Sequence, residues 1–446
     1  MVKRKRKRGY TYLYMIAAML AVSSAGYAQD STHFLSLDEA INAAVKENKN
    51  LMQAQMDEKV AASAYKQTDA IFLPQVNFSY AAYTSNNPLN AFGFKLQQKD
   101  VQQQDFNPAI LNNPGATPDF ATGLMVQQPI INMDMLYMRK SAAKQTEVYQ
   151  LKTQRTREYI TLMVQQAYLQ LQLAYNAKKV FKQALLTAQA TYKFTSDRYQ
   201  QGLLQKYDVL NVSVQIKSIE TSIEETNSNI GTASDYLSAL MNKPQGTVYT
   251  AEDIAVIEDR TQADTLPAAR ADFKATEAAL QSYNLMIKSS RMGYLPKLNA
   301  FANYQLHDKS MFGFGANAYM AGIQLSWDIF KGFQNKNKIN TQVLQRDKLA
   351  LQLDEQKDEA TTELNKTRRQ VNDAAYKMQQ QQEAIDQASE ALRILQNRYN
   401  QGLVNTTDVL MAQTQLSQQQ LGYAQAVFAR NTALVYLQYL TTSINK

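Results

Sequence analysis

The chain has 446 residues, no cysteine, and 47 Lys and Arg against 39 Asp and Glu, for a formal charge of +8. Its length does not limit core size, and the missing cysteines exclude disulfide frameworks, thiolate metal clusters and lipid attachment to a cysteine. Most of the charge surplus sits in residues 1–28: without their six basic residues, 41 remain against 39 acids, which implies no nucleic-acid partner.

The basic cluster Lys3 to Arg8, the apolar stretch Tyr12 to Val22 and the small residues Gly26 and Ala28 predict a cleaved secretory signal peptide over 1–28. That stretch is too short for an ordinary membrane helix, and no later apolar run approaches the ~18 residues one needs. A bilayer, if crossed, is therefore crossed by strands. The first structural repeat, 29–242, opens with Ser36 and Glu39 in capping-box spacing, predicting a half-length helix from Leu37 to about Ala70. Phe72-Leu73-Pro74 then leads into a β-hairpin over 72–131. Val76, Phe78, Tyr80 and Ala82, and then Leu124, Val126, Gln128 and Ile130, fall at the period-two positions of strands with one mainly apolar face. The Asn-, Gln- and Pro-rich stretch Thr84 to Phe120 reads as an external loop.

Neither Pro nor Gly occurs from Ile130 to Gln201, a stretch rich in helix formers, so 132–201 is predicted to be one helical rod of about 100 Å. The rod ends in R-Y-Q-Q-G-L from Arg198. Gly202 supplies the positive φ of a helix C-terminus, Asp208 stands at the expected N-cap, and a helix returns to about Met241. Residues 243–267, holding Pro244 and Pro267, are read as an irregular connecting segment.

The second repeat, 268–446, uses the same order: a half-helix to about Met292, Tyr294-Leu295-Pro296, a hairpin over 294–330, a Pro- and Gly-free rod over 333–401, and a tip. The tip R-Y-Q-Q-G-L-L-Q-K-Y-D-V-L at Arg198 returns as R-Y-N-Q-G-L-V-N-T-T-D-V-L at Arg398, a shift of 200 residues. The chain is one structural unit used twice. Along the second rod Leu364, Val371, Met378, Ile385, Leu392 and Tyr399 recur every seven residues. Ala360, Thr367, Ala374, Gln381, Ala388 and Leu395 form a smaller, partly polar companion seam. Such a repeat predicts helices packed along their length, arranged around water more than around a dry core. The four strands cannot close a barrel alone and lipid tolerates no open edge, so several subunits must share one.

The paired tips, the paired Leu-Pro strand entries, Gln128-Pro129-Ile130 and Ser36-Leu37-Asp38-Glu39-Ala40 resemble the TolC-like outer membrane efflux protein family over nearly the whole mature chain. The resemblance implies a mixed fold of membrane β-barrel plus long α-helical barrel. It implies a homotrimer with a 12-stranded barrel in outer-membrane lipid and a 12-helix tunnel in the periplasm. It also implies a passive exit duct served by a periplasmic adaptor protein and an inner-membrane pump, with no enzyme activity and no cofactor.

By the same resemblance Asp208, Asp408, Tyr199 and Tyr399 belong to a periplasmic constriction, and Arg198, Gly202, Leu203, Arg398, Gly402 and Leu403 to the tip turn that docks the adaptor. The chain departs from members with a salt-bridged latch: Asn211 and Met411 follow D-V-L, and Leu204 and Val404 stand two after the glycines. Plainer roles stay open beside these. The aspartates suit helix caps, the arginines the negative end of a helix dipole, the tyrosines a packing seam, and Trp327 an interfacial belt before a substrate contact. His33 and His307 are isolated, without metal or nucleotide motifs. The competing class is a periplasmic coiled-coil adaptor or scaffold, which would also carry long hairpins but would lack amphipathic membrane strands.

Overall fold

A computed structural model describes residues 33–259 and 265–443; the expected signal peptide lies outside the described residues. The chain divides into two compact units. The first helix ends earlier than its composition suggests: α1 is Leu37–Glu47 and α2 is Lys49–Gln67, followed by a single 3-10 turn at Thr68–Ile71. Asn48 breaks the run at φ −66°, ψ 128°, and its side-chain amide donates to the Leu240 carbonyl at 2.8 Å. The capping box forms as expected, with the Glu39 amide donating to Ser36 Oγ and the Ser36 amide to Glu39 Oε2. Its bonds, with that of the backbone first, hold the Glu39 carboxyl below its ordinary value.

One unit holds residues 49–159, 265–366 and 437–443 of the described chain. Its sheet contains β2 (Gln75–Ser85), β3 (Thr117–Ile131), β5 (Lys297–Asp308) and β6 (Ala316–Ser326) in that spatial order, all antiparallel. The two-residue strands β1 (His33–Phe34) and β4 (Tyr249–Thr250) belong to the other unit. Both predicted hairpins form, and β3 joins β5 to make them one sheet. The outer edges of β2 and β6 have no strand partner among the described residues.

Directly opposed residues share a face of an antiparallel sheet, so register sorts the side chains. Phe78, Leu124, Tyr304 and Tyr319 form one row across all four strands, next to the row Val76, Val126, Ala302 and Ala321. On the opposite face lie Ser79, Gly123, Gln305 and Ala318, and then Gln75, Gln127, Phe301 and Gly322. The apolar row is exposed throughout. A bulge between Pro129 and Ile131 bends the end of β3 into the rod.

The loop between β2 and β3 has structure of its own. It carries α3 (Pro88–Gln97) and α4 (Pro108–Asn112), each with an Asn N-cap, Asn87 or Asn107, and Pro in the first turn. Buried Asp105 accepts from Lys95 at 2.6 Å. Buried Asp119 accepts from Gln98 at 3.0 Å and lies 2.9 Å from His307 Nδ1, which pins the segment to the end of the sheet.

α5 (Met133–Gln200) and α8 (Gln334–Asn400) are the two rods, of 68 and 67 residues. In the sheet-bearing unit, α5 packs on α2 and α7 (Ala271–Met292) through small and hydroxylated side chains. Thr153 donates to the Ala54 carbonyl, and buried Ser141 and Ser282 bond to each other. Phe273, Leu353 and Ala360 form an apolar cluster there. Asp272 lies beside Arg270 and Arg155, whose guanidinium stacks on the Tyr439 ring. Burial opposes the charge of Asp272, but the Arg270 bonds, both guanidinium charges and the Phe273 amide outweigh it and hold the carboxyl below its ordinary value.

The other unit holds 33–48, 160–259 and 367–436 of the described chain, including α6 (Lys206–Leu240) and most of α9 (Thr406–Thr441). Its core joins Leu35, Ala40, Ala44, Val164, Leu171, Leu237 and Met241. β1 pairs in parallel with β4, so the connecting segment adds a short ladder where none was expected. Asn431, fully buried on α9, accepts from the Ile257 amide at 3.1 Å and donates to the Ala255 carbonyl at 2.7 Å. The heptad seam appears as burial: Leu364, Val371, Leu392 and Tyr399 are buried, as are Ala360, Thr367 and Ala374 of the companion seam.

Candidate functional site

The two tips lie together in one unit. Gly202 and Gly402 have φ of +73° and +76°, a region glycine alone enters at no cost, and each lets the chain leave its rod the same way. The amide of Leu203 donates to the Arg198 carbonyl and that of Leu403 to the Arg398 carbonyl, both at 2.9 Å. These 6→1 bonds close the rod ends as C-caps. Leu203 and Leu403 consequently stand outward, both exposed.

Asp208 and Asp408 are not the N-caps that the sequence suggested. Gln205 and Asn405 precede α6 and α9, and each aspartate is the third helical residue, reaching back to its cap. Asp208 Oδ2 accepts from the Gln205 amide at 3.1 Å and Asp408 Oδ2 from the Asn405 amide at 3.3 Å. In return the Asp408 amide donates to Asn405 Oδ1 at 2.9 Å. The physical reason is the tight turn: two residues after Leu203 or Leu403 suffice to reverse the chain, so the helix starts before the aspartate. A carboxylate in a first turn also complements the positive helix end.

The equivalent tyrosines and arginines differ between the copies. Tyr399 is 4% exposed, its hydroxyl bonded to Thr195 Oγ1 at 2.8 Å and Thr406 Oγ1 at 2.9 Å, and its ring 5.2 Å from that of Phe194. Tyr199 is 42% exposed. Arg198 donates to the Asn400 carbonyl at 2.6 Å and the Tyr399 carbonyl at 3.4 Å, with its guanidinium 4.5 Å from the Phe194 ring. It thus caps the other copy's rod, where a cation suits the dipole. Arg398 is exposed. Docking and dipole roles both suit the arginines by position, and nothing in the sequence marks Arg198 as acting on the opposite tip. No local motif marks Phe194 and Thr195, four and three residues before Arg198.

In the sheet-bearing unit, Trp327 directly follows β6, is exposed, and donates from Nε1 to the Tyr294 carbonyl at 2.9 Å. An indole with its polar edge satisfied and its ring exposed suits a membrane interface.

Two long rods with capped tips, joined in sequence to a sheet whose apolar face is bare, give the fold of solved outer membrane channels. CusC is 18% identical over 92% of this chain and 94% of its own, with a TM-score of 0.77. The Vibrio cholerae outer membrane protein VceC is 18% identical, covering 92% and 97%, with a TM-score of 0.75. The Campylobacter jejuni CmeC outer membrane channel is 16% identical, covering 91% and 85%, with a TM-score of 0.74. At these identities the likeness shows the fold. No curated protein sequence matches the chain.

The outer membrane efflux protein family matches residues 40–243 and 264–442, and the chain belongs to it. It is an efflux exit duct of the outer membrane, resembling TolC, and the adaptor reading is not favoured. Members of the family work with adaptor proteins and inner-membrane pumps in tripartite systems.

Proposed function

We propose that three copies of this chain build one duct, each supplying four strands to a 12-stranded barrel and its helices to a periplasmic tunnel. The observation that carries this reading is the sheet: an exposed apolar row on one face and two unpaired edges, β2 and β6. In water the face is unfavourable, and in lipid the edges are, because each unsatisfied backbone group there costs several kcal/mol. Joining β6 of one copy to β2 of the next removes both objections. The 1–28 leader directs the chain to the periplasm, and the Gly202 and Gly402 turns with their exposed leucines meet a periplasmic adaptor.

The tips form the constriction. Asp208 and Asp408 stiffen the turns through their boxes, and three copies would supply six carboxylates, a ring that favours cations. The transport step is passive, with energy supplied by the partner pump. Protein purified from outer membranes and reconstituted into planar bilayers is expected to conduct in discrete steps. Asp408→Ala is expected to raise that conductance, because it loosens the turn that holds the constriction. Protein released into the soluble periplasmic fraction without detergent, or lacking any channel activity, would contradict the duct.

A further inference from the structure

We propose that Arg398 clasps the end of the first rod in a neighbouring copy of this chain, as Arg198 clasps the end of the second rod within its own. This rests on the oligomeric duct described above and assigns the residues that join its tips.

Within one chain, copy 1 presents Phe194, Thr195 and Arg198 to copy 2, which offers the Tyr399 ring and the carbonyls of Tyr399 and Asn400. A shift of 200 residues converts the first group into Ile394, Leu395 and Arg398, and the second into Tyr199 and Gln200. Those shifted residues sit on rod ends with the same capping geometry, because the Leu203 and Leu403 amides make the same bond at 2.9 Å. Yet most of the shifted surface is bare, Leu395 excepted, which packs within the chain on Leu392, Tyr399 and Val409. Ile394 is 44% exposed, Tyr199 is 42% exposed and Arg398 is exposed, whereas Tyr399 is buried.

One contact is therefore made inside the chain, while Ile394, Arg398 and Tyr199 of its repeat-equivalent halves stay exposed. An alternating ring of copies 1 and 2 satisfies both with the same guanidinium-to-helix-end contact, without the hydroxyl bond of Thr195, whose equivalent is Leu395. Each junction inside a chain is Arg198 on Asn400, and each junction between chains is Arg398 on Gln200. The chemistry matches: a guanidinium meets the carbonyl-rich, negative end of a helix, and an aliphatic side chain replaces Phe194 against a tyrosine ring. The occupant is thus a second copy, since the complementary cation and helix end belong to this same sequence. With guanidinium-to-carbonyl contacts at both junctions, the tips would be held without the salt-bridged latch, since Leu204, Val404, Asn211 and Met411 stand at its positions.

Because the chain has no native cysteine, paired cysteines test this in the full-length detergent-extracted protein. Y199C/I394C treated with a short bis-maleimide is expected to give covalent species of two and three chains on denaturing gels. F194C/Y399C, the equivalent pair within one chain, is expected to stay at single-chain mass with its two peptides linked. Q200C/R398C and R198C/N400C provide a second such set should a variant of the first fail to fold. Links within the chain but none between chains would overturn the proposal. Cross-linking needs neither pump nor transport, so a protein that conducts yet shows no 199–394 link sinks this inference alone. R398A is expected to raise basal conductance by a factor similar to R198A, with R398K intermediate; an R398A channel unchanged while R198A opens would also refute it.

Discussion

Tyr399→Phe isolates one hydroxyl that ties three helix ends together. Its oxygen lies 2.8 Å from Thr195 Oγ1 near the end of α5 and 2.9 Å from Thr406 Oγ1 at the start of α9, while the ring sits near the end of α8. Each bond contributes a net ~0.5–1.5 kcal/mol, and a buried partner left unpaired costs about 1–3 kcal/mol. Thr195 keeps its bond to the Thr191 carbonyl at 2.8 Å, so only Thr406 is stranded. The loss should then be ~1–2 kcal/mol, which shifts an opening equilibrium by roughly 5–30-fold at 1.4 kcal/mol per decade. Hydrogen exchange followed by mass spectrometry reads this directly. Tip amides over 199–209 and 399–409 should exchange faster by that factor, with the amides of α1 unchanged. Thr195→Val should reproduce the change at the first tip. If tip exchange in Tyr399→Phe matches the unaltered protein, the hydroxyl does not hold the tips and the reasoning fails.

Asn431→Ala strands the Ile257 amide and the Ala255 carbonyl, a loss of ~2–4 kcal/mol after water recovers part of it; limited proteolysis should then cut 252–259 preferentially. Asp272 has a folded-state pKa depressed below its ordinary 3.8, so the stability it contributes is complete above that value and is lost as pH falls through the lower folded value. Asp272→Asn should lower the melting temperature at pH 7 and flatten its acid dependence, whereas an unchanged acid limb would contradict the assignment. Tyr319→Arg, on the apolar face of β6, should cost about 2–4 kcal/mol of membrane stability near mid-bilayer, while Gln305→Arg on the other face costs little; equal effects on detergent-free urea resistance would argue against a lipid-facing row. Gly402→Ala places a β-carbon at φ +76°, and a loss of about 1 kcal/mol is expected in chemical denaturation of the tip.

The parts of the fold visible in the sequence are those fixed by long, uniform patterns. The absence of Pro and Gly from 130 to 201 and from 333 to 401 marked both rods, and the period-two runs after Pro74 and Pro296 marked both hairpins. Gly202 and Gly402 marked the turns because one backbone conformation there excludes other residues. What stayed hidden depends on contacts distant in sequence. Lys46 to Leu51 reads as continuing helix, and the bond from Asn48 to Leu240, far away in sequence, accompanies the break. Asn431 looks like an ordinary polar residue on a helix until residues 255 and 257 lie against it.

Other features carried a local signal that composition concealed. Asn87-Pro88 and Asn107-Pro108 are each an N-cap followed by a first-turn proline, inside a stretch whose Asn, Gln and Pro content reads as loop. The aspartates of the tips were misplaced by three residues because an acid suits both N-cap and third position. The arginines show a different limit: the repeat makes Arg198 and Arg398 equal in sequence, and only the folded chain separates the one that is engaged from the one that is exposed.

The most direct test of the shared barrel is the mass of the intact complex, measured by native mass spectrometry on protein extracted from outer membranes in mild detergent. Three chains per particle is the predicted result, since four strands apiece then close one 12-stranded wall. A stable single-chain particle that still spans lipid would contradict it.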